Sequence, residues 1–167
     1  MNGSSTNPLG NTAQRGHPET DPDAETVANP VVDHLKSKIA AAGHVSVAEF
    51  MQSALGDADG GYYTTRDPFG VAGDFTTAPE ISQVFGELIG LWCADTWQAM
   101  GSPRAFALIE LGPGRGTLMS DALRALRQVP ACRAAASVHM VETSPVLREI
   151  QQQALQGENI TWHSALP

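Results

Sequence analysis

Apolar residues recur along this chain at two different spacings, and the change from one to the other divides it. Val31, Leu35 and Ile39 fall four apart on one helical face, and Gly43 follows as a residue able to end that helix. Ser46-Val47-Ala48-Glu49 has the form of a capping box, and Phe50, Met51, Ala54 and Leu55 make an apolar stripe running to Gly56. These two segments predict a helical hairpin packed against a sheet domain. A longer helix is predicted from Thr77-Ala78-Pro79-Glu80, again read as a capping box, to about Met100, where Gly101-Ser102-Pro103 stops it. Ile81, Phe85, Leu88, Ile89, Trp92 and Thr96 share one side of it and are expected in the core, while Gln83, Glu87 and Asp95 project elsewhere.

From Ala105 to Leu111 nearly every residue is apolar, as expected of a parallel strand covered on both faces. Helical spacing returns between Thr117 and Arg127 with Leu118, Ala122 and Leu126. A second strand is predicted over Ser137–Glu142, then a helix from Pro145 to Gln156 opened by Ser144 as N-cap, then an incipient strand at Asn159–Trp162. The alternation predicts an α/β fold: part of a doubly wound, Rossmann-like sheet preceded by a small helical N-terminal region. The expected divisions are a disordered tail over 1–30, a helical region with a covering loop over 31–102, and the first half of the Rossmann-like domain over 103–167. Three strands are fewer than a complete doubly wound sheet needs, so the chain reads as the N-terminal part of a longer fold, with the outer edge of strand one unpaired.

The turn between the first strand and its helix, Gly112-Pro113-Gly114-Arg115-Gly116, carries the candidate chemistry. Glycines there permit positive φ and close approach of a ligand to the backbone, and the helix start offers free N–H groups. A dinucleotide loop spaces its glycines G-x-G-x-x-G, whereas here Gly116 comes one residue early and Thr117 stands in the required place. Glu110, at the end of a buried strand, needs a polar partner to offset its desolvation, and an ammonium group would supply one. S-adenosylmethionine has that ammonium and no phosphate, so it fits better than a dinucleotide. Glu142 ends the second strand, where an acid can accept both ribose hydroxyls of a nucleoside. Gly112, Gly114, Gly116, Glu110 and Glu142 are therefore the expected cofactor-binding residues.

Glu110-Leu111-Gly112-Pro113-Gly114-Arg115-Gly116 resembles the E/D-x-G-x-G-x-G motif of class I S-adenosylmethionine-dependent methyltransferases, with Glu142 matching their acid after strand two. Upstream, Gly61-Tyr62-Tyr63, Pro68-Phe69-Gly70 and the run from Gly73 to Glu87 resemble the MidA-like family, whose mitochondrial member is an arginine methyltransferase that assists assembly of respiratory complex I. The resemblance covers about Val31 to the C-terminus. It implies a methyltransferase sheet, S-adenosyl-L-methionine as cofactor, and protein arginine N-methylation, in which a guanidinium nitrogen displaces the methyl from its sulfonium in line. The protein would chiefly position both reactants and exclude water, with carboxylates holding the guanidinium. The family's acidic Asn-Glu segment after strand four has no counterpart in this sequence. Implied partners are a protein bearing the target arginine, with a respiratory complex I subunit as a candidate.

The segment from Asp57 to Thr77 is too long for an ordinary connection and holds Tyr62, Tyr63, Arg66, Asp67, Phe69, Asp74 and Phe75. Spacing alone favours a β-hairpin packed by its aromatics; the resemblance favours a loop over Gly73–Thr77 that closes on the cofactor or orients the target nitrogen. Asp74 and Glu80 are the candidate catalytic acids, although capping alone accounts for Glu80.

A net charge of -8 disfavours a nucleic-acid surface and tolerates a cationic substrate. No stretch is apolar enough to span a bilayer, and Arg15 is the sole basic residue among four acids in the first thirty positions, unlike a transit peptide; the expected location is cytoplasmic. Cys93 on a helix and Cys132 in a loop lack redox or metal spacing, and His139 within a strand and His17, His34, His44 and His163 show no ligand spacing, so no metal is expected. Two other functions stay open: a non-catalytic assembly factor or interaction fragment that keeps the fold without turnover, and an NAD-dependent oxidoreductase.

Overall fold

The computed structural model describes residues 29–70 and 73–166; the predicted tail, up to residue 28 and with it His17, lies outside the described residues. Helix α1 spans Pro30–Ala42, where Asn29 caps Val31 N–H and Gly43 closes the end at φ 79°. Helix α2 spans Val47–Gly56 behind the full Ser46/Glu49 capping box. Its stripe is only partly covered: Phe50 and Met51 are exposed, while Ala54 and Leu55 are half-buried and Met51 and Leu55 line a cavity described below.

The long helix is two helices. Helix α3 covers Ala78–Ile81, and α4 covers Gln83–Ala99. Ser82 between them is extended (φ -153°) and caps Val84 N–H, whereas Thr77 makes no side-chain cap. The predicted apolar stripe is not core either: Ile81 of α3 and Phe85, Leu88 and Ile89 of α4 are exposed, and Trp92 is 63% exposed. The buried face is instead Gly86, Gly90, Ala94 and Trp97, which packs on α5. Small side chains let two backbones approach closely, and a bulky stripe cannot. Glu87 belongs to this seam, where Arg124 bridges it (2.9 Å) and Asp121 (2.5 Å). Trp97 donates its indole N–H to the Pro103 carbonyl and anchors the lead into the sheet.

Strand β1 is Phe106–Leu111, followed by α5 at Thr117–Leu126 and a short α6 at Pro130–Ala135 that places Cys132 on a helix and not in a loop. Then come β2 at Ala136–Val141, α7 at Pro145–Ala154 and β3 at Ile160–His163. The three strands are parallel in the order β1-β2-β3, with Phe106 opposite Ala136 and Val138 opposite Ile160. Leu123, Leu126, Val138 and Met140 form the core between this sheet and its helices. β1 is not covered on both faces as its composition predicted: Phe106, Leu108 and Glu110 turn toward the helices, while Ile109 and Leu111 lie exposed on the other side. Helices α5 and α7 follow β1 and β2 on the same face, so nothing among the described residues covers the opposite one. No helix of the described residues is long and apolar enough to cross a membrane.

Candidate cofactor site

The carboxyl ends of β1 and β2 lie side by side, and the glycine turn rises between them. Gly112, Gly114 and Gly116 sit at φ 61°, 56° and 82°, a region that side chains rarely adopt. Their surroundings differ. A Cβ on Gly112 would meet nothing within 4 Å, one on Gly114 would face the Phe69 ring at 3.7 Å, and one on Gly116 would touch Gln151 and Leu155 at 3.4 Å. Gly112 N–H donates to the Val141 carbonyl (3.0 Å), which ties the turn to the end of β2.

Two cavities meet on this turn. The larger, about 540 Å³, runs from Met51 and Leu55 of α2 past Tyr63 and Phe69 to Gly112, Gly114, Glu142 and Leu147. The smaller, about 320 Å³, is lined by Glu80, Glu110, Arg115 and Thr117 together with Phe69, Gly112 and Gly114. A ligand lying across the turn therefore reaches Glu142 on one side and Glu110 on the other.

The two acids differ in their surroundings. Glu142 is buried and pinned: one carboxylate oxygen accepts from Ser144 N–H (2.7 Å) and the other from the Gln151 amide (3.0 Å). Glu110 has a buried oxygen, Oε2, with no hydrogen-bond partner, and burial pushes its carboxyl up to about 7. A buried carboxyl without a partner fits a cationic ligand group, since an ammonium would restore the missing interaction.

The aromatic segment is neither a regular hairpin nor a detached loop. Among the described residues the segment forms only the Phe69–Phe75 bridge, and Tyr63 stacks on Phe69 with ring centroids 5.9 Å apart, with Phe69 over Gly114. The structure separates the two candidate catalytic acids. Asp74 is exposed, accepts from the Tyr62 hydroxyl, lies 3.8 Å from Arg66 and lines neither cavity. Glu80 does not cap its helix; it accepts from the Thr117 hydroxyl, lies 3.8 Å from Arg115 and shares the smaller cavity with Glu110. Arg115 is also held by Asp67 at 3.4 Å. His139 contacts His163 on the neighbouring strand at 3.0 Å, and no group of three or more metal-binding side chains occurs among the described residues.

Sequence reading missed Gln151, which is fully buried beside the turn. A signal was present: Leu147, Gln151 and Leu155 are spaced by four, which sets a polar residue within an apolar helical face.

Residues 88–167 match the family model described as "Putative S-adenosyl-L-methionine-dependent methyltransferase". The chain is 47% identical over 143 residues to the mitochondrial protein arginine methyltransferase NDUFAF7 of Xenopus laevis, covering 83% of this chain and 32% of that protein. It is 47% identical over 139 residues to the human protein of the same name, covering 82% and 32%. A Burkholderia thailandensis protein solved with bound S-adenosyl-homocysteine superposes with a TM-score of 0.70 at 27% identity, covering 83% of this chain and 38% of that one. The chain spans about a third of the length of the curated relatives it matches.

Proposed function

We propose that the chain, whose residues 88–167 are similar to a family of S-adenosyl-L-methionine-dependent methyltransferases, supplies the cofactor-binding part of a protein arginine N-methyltransferase. The observation that carries this reading is the open glycine turn set between one pinned acid and one unpartnered acid. In it Glu142 accepts the ribose hydroxyls and Glu110 takes the α-ammonium, while Gly112 and Gly114 leave the backbone bare for the ligand between them. When bound, the cofactor supplies a methyl group already activated by its sulfonium. The chain's own part is to position and to exclude water: Phe69 and Tyr63 cover the turn, and Met51 and Leu55 of α2 give the larger cavity an apolar wall. Glu80, within the smaller cavity, is better placed than Asp74 to face an acceptor nitrogen.

The relatives' names support an arginine-bearing protein acceptor, and the resemblance of the Gly61–Glu87 stretch to the MidA-like family leads us to put forward a respiratory complex I subunit, in a cytoplasmic setting, for the whole protein. The first test is calorimetry of S-adenosylmethionine with this chain and with Gly112→Val, using NAD as control. Valine at φ 61° strains the turn and projects a side chain into the space the ligand needs. The expected result is binding weakened about tenfold or more in the variant, equivalent to roughly 1.4 kcal/mol, with no NAD binding. Equal affinity for NAD, or an unaffected variant, would overturn the reading.

A further inference from the structure

We infer that Gln151 is a positioning residue for the nucleoside, joining the glycine turn, Glu142 and β3 into one ribose-recognising unit. This rests on the cofactor reading above. Gln151 is 0% exposed between Leu147 and Leu155, at a position where leucine would bury more apolar surface without any polar cost. Its amide is instead used on three sides. Nε2 donates to the Gly114 carbonyl (2.8 Å) and to Glu142 Oε2 (3.0 Å), and Oε1 accepts from the Trp162 indole (3.1 Å). Those partners come from the glycine turn, the end of β2 and strand β3, so this one side chain sets their relative positions.

The geometry has a consequence for the carboxylate. A carboxylate has about four acceptor sites, two on each oxygen. Ser144 N–H fills one on Oε1 and Gln151 fills one on Oε2, which fixes the plane of the group and leaves one site on each oxygen. Two adjacent free sites held at a fixed orientation on the wall of the larger cavity match a vicinal diol, such as the 2′- and 3′-hydroxyls of a ribose. Without Gln151 the carboxylate can turn about its Ser144 bond, and selectivity for the diol is lost.

The test measures dissociation constants of S-adenosylhomocysteine and its 2′,3′-dideoxy analogue for the unmodified chain, Gln151→Met and Trp162→Phe. Methionine keeps the length and volume of glutamine while removing its hydrogen bonds. The ratio of the two constants is the readout, because partial loss of folding weakens both ligands alike and leaves their ratio unchanged. The unmodified chain is expected to prefer the hydroxylated ligand by roughly tenfold or more, the preference to collapse toward unity in Gln151→Met, and an intermediate ratio to appear in Trp162→Phe. If Gln151→Met does not fold, Trp162→Phe decides. A preference retained in both variants overturns the role of Gln151 alone; no preference in the unmodified chain removes the ribose role of Glu142 and this inference with it.

Discussion

Replacing Gly90 with leucine is expected to destabilise the chain by about 3 kcal/mol and to lower its thermal midpoint by roughly 10 °C. A Cβ at this position would lie 2.5 Å from the Ala122 carbonyl oxygen and 2.8 Å from Ala122 Cα. Both atoms are backbone of α5, so no rotamer change relieves the contact and the helices must separate. Separation loosens the burial of Ala94 and Trp97 farther along the same face. Even Gly90→Ala should destabilise, although alanine in an unobstructed helix position is better than glycine by about 1 kcal/mol. Gly56, whose Cβ would meet nothing within 4 Å, is the control, and Gly56→Ala should leave the midpoint unchanged or raise it. Thermal unfolding followed by circular dichroism compares the three; a stabilising Gly90→Ala would mean that the close approach of α4 and α5 is wrong.

Glu110 makes the stability of the ligand-free chain depend on pH in a direction opposite to that of a salt-bridged acid. Burial raises its carboxyl from 4.5 to about 7, so the folded chain holds a proton that the unfolded chain releases between those values. Its contribution is therefore free of penalty below pH 4.5, falls as pH rises through the window, and reaches a loss of about 3 kcal/mol above pH 7. Glu110→Gln should lack this decline, and urea unfolding of both proteins from pH 4.5 to 8 measures the difference. Parallel curves would show that Glu110 is solvated. A cationic ligand group at Glu110 reverses the preference, so affinity for S-adenosylmethionine should rise about tenfold per pH unit below 7 and level off above it. Calorimetry across that range reads both effects on the same site.

Most of the local structure could be read from the sequence because its determinants are local. The capping box at Ser46, the left-handed glycine at Gly43, and the Ser144-Pro145 helix start all depend on neighbours within a few residues. The Gly112–Gly116 turn is legible for the same reason, and so are the acids at Glu110 and Glu142, since a strand, a turn and a helix fix where they fall. The Thr77 box failed for a tertiary reason: Glu80 is drawn to Thr117 and Arg115 across the cavity and cannot also serve its own helix start, so Ser82 opens α4 instead. Gln151 was missed because its partners Gly114 and Glu142 lie 37 and 9 residues away.

By itself, the sequence determined most of the helices and strands, though not the break at Ser82 or the short α6, as well as the parallel sheet and a glycine turn set between two acids. Tertiary structure alone decided which face of α4 is buried. Periodicity identifies an apolar face but says nothing of how closely a neighbour can approach, and closeness selected Gly86 and Gly90 over the bulkier stripe. It likewise decided that Glu110 would lack a partner and Glu142 would have two, because hydrogen bonding of a buried acid depends on groups brought in from other elements and not on its own position in a strand.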